Sequence, residues 1–277
     1  MQLPAHFRDF VRAAFLNFAA LASMAAIVAI GTARTAYAQN VDTLPFGVGE
    51  RMVYRARVAN VGTVGRGAMW VEGPVMVRGV RTMLLRFDMS AGFGPVKASD
   101  RTSSWLDATR MTSLRYAKRE RSPVANHQEE IDLYPEEKIW RSASGASGAT
   151  PTSRSLDELS FIYYIRTLPL TPGAVYRLDR HFDSSRNPTT ITIVGRERVV
   201  TAAGSFHTVL VEMRVRDSRR YKDVGVIRIN LTDDRCRVPV RITSSLRVLG
   251  TVVLTLESYD GPKRLCANPL LAGPPDR

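Results

Sequence analysis

A mainly β chain, built as one antiparallel sheet with a single short helix and preceded by a cleaved signal peptide, is the architecture this sequence predicts. Three observations carry that expectation. After residue 50 the apolar residues recur mostly at every second position, the period of a strand. One stretch, 155–167, instead opens with a helix-capping pattern and repeats at three-and-four spacing. The first forty residues have the three-part layout of an export signal. The composition, 277 residues with 44% hydrophobic and 23% charged, can bury a sizeable core. It excludes a disordered tail, a collagen-like fibre and a disulfide-dense miniprotein.

In the leader, Arg8 and Arg12 precede the apolar residues 13–31, a polar run follows, and Ala36-Tyr37-Ala38 closes it. Small side chains at both alanine positions are what a signal peptidase pocket accepts. Residues 1–38 are therefore expected to be removed. A retained anchor is the alternative, because about 19 apolar residues reach the ~17–25 that span a bilayer. The small-residue end favours cleavage, and no cysteine lies near the cut for a lipid anchor. The expectation is a periplasmic protein, soluble after cleavage, with one domain over 39–267 and a flexible, proline-containing tail over 268–277.

Lys and Arg number 39 against 26 Asp and Glu, a formal +13. Without the leader the balance is +11, and outside the cytoplasm intracellular nucleic acid is a poor partner. Arginine supplies 34 of the 39 cations. A GC-rich genome would do this, and so would recognition of carboxylate or phosphate by a planar guanidinium.

The strands follow in order. In 208–216, Val209, Val211, Met213 and Val215 face one way while Glu212, Arg214 and Arg216 face the other. In 238–248, Val238, Val240 and Ile242 alternate with Arg241 and Arg247; in 83–89, Met83, Leu85, Phe87 and Met89 alternate with Arg86 and Asp88. One face on a core and one on water is the antiparallel signature. Further strands are expected at 52–59, 67–72, 97–106, 112–120, 128–133, 174–182, 189–194, 221–231 and 251–259. Ser155 as N-cap with Glu158 three residues on predicts a helix over 156–167, stopped by Pro169. Residues 142–154, small and polar, read as a mobile loop. Trp70, Trp105 and Trp140 are evenly spaced, but their neighbours differ and no repeat follows.

Cys236 and Cys266 are the only cysteines, an even number in an exported chain. Folding the two strands between them into a hairpin brings its ends together, so a disulfide is expected. It would add roughly 3–4 kcal/mol in the chain-entropy picture. Two buried free thiols are the alternative.

Several segments together resemble one family. Residues 44–54 (LPFGVGERMVY), the helix 156–166 (LDELSFIYYIR) followed by Pro169 and Gly173, the turn 201–206 (TAAGSF) and the closing 231–250 region are similar, in that order, to an uncharacterised family of exported bacterial proteins, domain of unknown function 3108. The resemblance covers about 44–260. It implies a strongly curved antiparallel sheet or half-open barrel with no assigned reaction.

Catalysis has few footholds. His127, His181 and His207 are far apart in sequence. Asp179, His181 and Asp183 share a strand face, which suits a metal or acid–base site or a solvated stripe. Ser205 and His207 share a face but lack the G-x-S-x-G elbow. Glu129-Glu130 and Glu136-Glu137 read as surface pairs rather than glycosidase carboxylates. The glycine-rich 62–67 lacks the P-loop lysine. No enzyme activity, catalytic residue, cofactor or metal is expected. A half-barrel can enclose apolar material while rim arginines hold an anionic head. The candidate ligand-binding residues are accordingly Arg214, Arg216, Arg228, Arg241 and Arg247, with Phe161, Tyr163 and Tyr164 either plugging the concavity or packing the core. The expected partner is an anionic envelope lipid or glycolipid, or, in the alternative reading as a structural or assembly module, another envelope protein.

Overall fold

Alternation of buried and exposed residues, sustained from residue 51 to 260, produces one sheet and little else. The computed structural model describes residues 43–94, 96–122, 125–217, 221, 224–246 and 250–262. The expected signal peptide 1–38, Arg247, Cys266 and the expected tail 268–277 lie outside them.

The first run of strands is β1 (Arg51–Val58), β2 (Gly62–Val77), β3 (Val80–Phe93), β4 (Val96–Asp107), β5 (Thr112–Ser122), β6 (Ala125–Tyr134), β7 (Ile139–Ser142) and β8 (Ser147–Ala149). After helix α1 (Glu158–Ile165) come β9 (Val175–Leu178), β10 (Thr189–Thr201), β11 (Gly204–Arg216), β12 (Val224–Thr232), β13 (Pro239–Leu246) and β14 (Gly250–Asp260). All fourteen form a single antiparallel sheet in the order β8 to β1, then β14 back to β9. Strands consecutive in sequence pair with each other except β8 and β9, and β1 pairs with β14, with Arg51 opposite Asp260. The two edges, β8 and β9, are the strands that flank α1.

Apolar residues from β1–β4 and β10–β14 share one buried cluster with the helix residues Leu159, Phe161, Tyr163 and Ile165. Both halves of the sheet must therefore curve round the same core. Register shifts within β1, β2, β4, β10 and β12 supply local bends, as bulges do. A smaller cluster, Tyr116, Ile131, Leu133 and Phe182 with Trp140, fills the region under β5–β7.

The helix begins later than the capping pattern predicts. Asp157, not Ser155, is the N-cap: its carboxylate accepts from the Leu159 and Ser160 amides, both at 2.9 Å, and the Ser160 hydroxyl accepts from the Asp157 amide at 2.8 Å. The Ser155 hydroxyl donates to the Thr152 carbonyl instead. Leu156 is extended, donating its amide to Arg180 O and accepting from Phe182 N, while Ser113 N donates to Ser155 O. Residues 155–157 thus strap the sheet's open side. The predicted loop 142–154 contains the short strand β8, which pairs with β7, and the predicted strand 174–182 ends at Leu178.

The C-terminal end of α1 is fixed by a buried ion pair. Arg166 and Glu50 are both fully enclosed, and Nη1 and Nη2 of Arg166 donate to the two carboxylate oxygens at 2.8 and 2.6 Å. Nη2 also donates to the carbonyls of Pro45 and Cys236. The guanidinium lies 5.3 Å from the Phe46 ring and 5.4 Å from Tyr163. Burial opposes its charge, and Glu50 more than offsets this, so its pKa stands above the ordinary value. Tyr163, predicted either to plug the concavity or pack the core, packs the core here.

Removing one partner strands the other charge in the core. Glu50→Ala is expected to cost about 3–5 kcal/mol in urea unfolding. The double change Glu50→Leu with Arg166→Met, which leaves no orphan charge, is expected to recover part of that loss.

Candidate ligand-binding cavity

Inner-face positions of the strands meet α1 around a cavity of about 220 Å³. Its wall is apolar over most of its extent: Met69 of β2, Phe87 and Met89 of β3, Met213 and Val215 of β11, Ile227 of β12, Ile242 of β13 and Leu254 of β14. Leu159, Phe161 and Ile162 of α1 form one side. Tyr221 forms part of another and bonds Ser244 Oγ through its hydroxyl at 2.9 Å. A Cβ at position 225 would collide with that ring, so glycine lets Tyr221 lie directly on β12.

One end of the cavity is polar. Asp100, Lys118, Glu158, His181, Arg186 and Asp217 line it. Alternation continued past its apolar members puts two of them there: on β5 the buried Leu114 and Tyr116 are followed by Lys118, and on β4 the buried Leu106, Ser104 and Thr102 lead to Asp100. Lys118, almost wholly enclosed, reaches Asp100 at 3.0 Å and Glu158 at 3.2 Å. Arg186, in the 3₁₀ turn Ser184–Arg186, reaches Glu158 at 2.6 Å, Asp183 at 3.4 Å and Asp217 at 3.5 Å. Burial opposes the Arg186 charge, but Glu158 and Asp217 prevail and raise its pKa.

His181 differs from these neighbours. It is 5% exposed, and its ring stacks on Phe182 at 4.7 Å and Phe161 at 6.4 Å. The Asp183 amide donates to Nδ1 at 3.1 Å, so in the neutral ring the proton sits on Nε2. Nε2 has no hydrogen-bond partner among the described residues. Burial is the main force holding the imidazole down, to about 4; Arg186 adds to it, while Glu158 and Asp183 oppose. At neutral pH the ring is an uncharged Nε2–H donor.

The arginines singled out in the sequence do not converge here. Met213, Val215, Ile227 and Ile242 face the cavity, so Arg214, Arg228 and Arg241, one residue away on each strand, face outward. Arg214 and Arg228 both bond Glu212. Arg216 alone of the set lines the cavity, and Arg247 lies outside the described residues. Of the aromatics, Phe161 lines it, whereas Tyr164 is half-buried under the Arg180 guanidinium at 4.3 Å. Asp183 is drawn to Arg186 and the Ser185 amide rather than forming a solvated stripe with His181. The Ser205 hydroxyl accepts from Arg198 Nε, and His207 is exposed. Glu136 and Glu137 pair with Arg110 and Arg141 on the surface. No group of three or more His, Cys, Asp or Glu among the described residues is placed to hold a metal ion.

A neutral histidine in the folded state makes stability depend on pH. The unfolded imidazole titrates near 6.5, the folded one near 4. Between those values the unfolded chain binds the extra proton, so stability falls as pH drops through that window. The loss approaches about 3 kcal/mol. Urea titrations at pH 7 and pH 4 are expected to show it in the wild type and to show correspondingly less of it in His181→Phe.

No curated protein matches the chain. Among solved structures, a β-barrel-like protein of a different domain of unknown function, DUF1849, from Brucella abortus shares 11% identity at a TM-score of 0.54, covering 79% of this chain and 99% of its own. A Bacteroides fragilis protein described as an exported candidate with a YmcC-like fold shares 13% identity at a TM-score of 0.29, covering 78% of this chain and 98% of its own. The Brucella likeness bears on the fold and, at that identity, on nothing else. The family model described as "Protein of unknown function (DUF3108)" matches residues 52–257, strands β1 to β14, and the chain belongs to that family.

Proposed function

We propose that this protein is a non-catalytic carrier or sensor in the cell envelope, holding the apolar chain of an amphipathic ligand in the cavity beside α1. The observation that carries the reading is the cavity itself, with an apolar wall drawn from both halves of the sheet and one polar end. Its 220 Å³ lies between the ~150 Å³ that admits benzene and the ~300–1,000 Å³ of sites for drug-sized ligands. That suits one slender alkyl chain better than a multi-chain glycolipid. An envelope location rests on the leader over 1–38, and among the described residues no helix is long and apolar enough to cross a membrane. An assembly module would call for a filled core, which the cavity disfavours.

Binding of N-phenyl-1-naphthylamine, a neutral apolar fluorophore, tests the reading. Saturable enhancement at one site is expected in the wild type, and Met213→Trp, which adds bulk to the wall, is expected to weaken it about tenfold or more. A folded wild type with no saturable enhancement, purified gently and free of adducts in native mass spectrometry, would sink the idea. A Cys236–Cys266 disulfide belongs to the same reading, since Cys236 is buried beside the Arg166 clasp. Unreduced, unfolded protein is expected to release no titratable thiol, and two free thiols would refute the pairing.

A further inference from the structure

We propose that the open end of the curved sheet docks on an anionic phospholipid bilayer, with the hairpin tips among the head groups and the cavity opening onto the membrane that supplies its ligand. This deepens the cavity reading above and rests on it.

Three features point to that surface. First, the core opens toward one end. Along the inner face of β3 the enclosed Leu85 gives way to half-buried Phe87 and Met89, and along β11 Val211 gives way to Val215. Read toward their starts, β12 passes from enclosed Ile229 to half-buried Ile227, and β14 from Leu256 to Val252. The β1–β2, β3–β4, β11–β12 and β13–β14 turns lie at this end, because an antiparallel sheet brings alternate turns together. At the opposite end Leu44, Phe46 and the Glu50–Arg166 pair are enclosed. Met89, Val215 and Val252, which line the cavity, therefore also line its mouth.

Second, the rim of that mouth is cationic. Arg57, Lys97, Arg121 and Arg216 each stand within one residue of a strand end there, and all four are exposed. None of them pairs with a carboxylate among the described residues. The carboxylates of this end are turned inward: Asp217 is enclosed beside Arg186, Asp100 holds Lys118, and Glu120 follows Lys118 along the inner face. The opposite end is mixed in sign, with Glu136, Glu137 and Asp233 paired to Arg110, Arg141 and Arg196.

Third, apolar side chains stand among the rim cations. Val61 in the β1–β2 turn and Val224 at the start of β12 are 45% and 47% exposed. Cations interleaved with exposed apolar residues suit the boundary between head groups and acyl chains, where phosphates meet the cations and hydrocarbon meets the valines. An acidic protein would match the charge as well. A mouth held against lipid, however, spares an alkyl chain the passage through water.

Flotation with phosphatidylcholine vesicles, with and without phosphatidylglycerol, tests the proposal. Wild type is expected to float with the phosphatidylglycerol vesicles at low salt and to be released at high salt. Each cation lost near such a surface weakens binding about fivefold, so Arg57→Gln with Arg121→Gln is expected to bind about thirtyfold more weakly. Arg81→Gln with Lys138→Gln removes the same charge from exposed positions at the opposite end and is expected to bind like wild type. Equal weakening by both pairs overturns the proposal, because net charge alone would then account for binding. Wild type that does not float while N-phenyl-1-naphthylamine still binds overturns it too, leaves the cavity reading in place and turns the rim over to an acidic protein. Floating protein that takes up no fluorophore overturns the cavity reading on which the proposal rests, a different result. Should a variant fail to fold, hydrogen exchange on the wild type decides. With vesicles, the β1–β2 and β3–β4 turns are expected to exchange more slowly and the β2–β3 turn to keep its rate; protection confined to the β2–β3 turn refutes the docking.

Discussion

The buried pair of Arg166 and Glu50 is the contact on which the placement of everything else depends. Glu50 precedes β1, Arg166 caps the end of α1, and the carbonyls of Pro45 and Cys236 complete the guanidinium's partners. Arg237 reciprocates by donating to the carbonyls of Arg166 and Leu168, so the loop before β13 and the end of the helix hold each other. An enclosed ion pair adds little net stability compared with apolar residues of the same volume. We read its role as registry. It gives the helix one axial position against three segments that are remote in sequence, and an apolar substitute would let those segments slide.

That registry matters because of the topology. The first and last strands, β1 and β14, meet in the middle of the sheet, and its two edges are joined through α1. The half-sheets share a core but leave an open side between β8 and β9. The strap 155–157 and the helix close it, and Asp157 is where their bonds converge, taking Ser104 Oγ at 2.5 Å besides its two capping amides. Burial pushes the Asp157 carboxyl pKa up, and these hydrogen bonds work against it. The cavity lies where the helix approaches both halves, so whatever sets the helix sets the cavity. Ile162 and Phe161 face into it because Asp157 fixes one end of α1 and Arg166 the other.

Period-two alternation made most of the strands legible, because each has one face on the shared core. It failed where that condition lapses. β7 has only four residues and β8 is the three small residues Ser147–Ala149, and their main packing is Trp140 against the smaller cluster, so neither shows an alternating run. At the helix start two caps compete in the sequence. Asp157 prevails because its carboxylate reaches two amides and a buried serine, whereas the Ser155 hydroxyl, two residues earlier, is turned to the Thr152 carbonyl. Lys118 was readable in principle, as a cation continuing the buried series of Leu114 and Tyr116. His181 was not. Its shared strand face with Asp179 and Asp183 is visible in the sequence, but its enclosure by Phe161 and Phe182 and the loss of strand geometry after Leu178 are tertiary facts.

The arginine excess belongs to a different part of the molecule from the cavity. Three times on the surface one carboxylate serves two guanidinium groups: Glu257 between Arg55 and Arg66, Glu212 between Arg214 and Arg228, and Asp132 between Arg78 and Arg115. Each trio leaves one positive charge over, and solvent screens it. At the inner end of the cavity Lys118 and Arg186 are matched instead by Asp100, Glu158 and Asp217. Outer charge of one sign draws the protein toward anionic surfaces without distinguishing among them. The sheet therefore separates two arrangements of charge: on the surface, pairs of arginines share single carboxylates, whereas the cations beside α1 in the concave face are matched by the carboxylates around them.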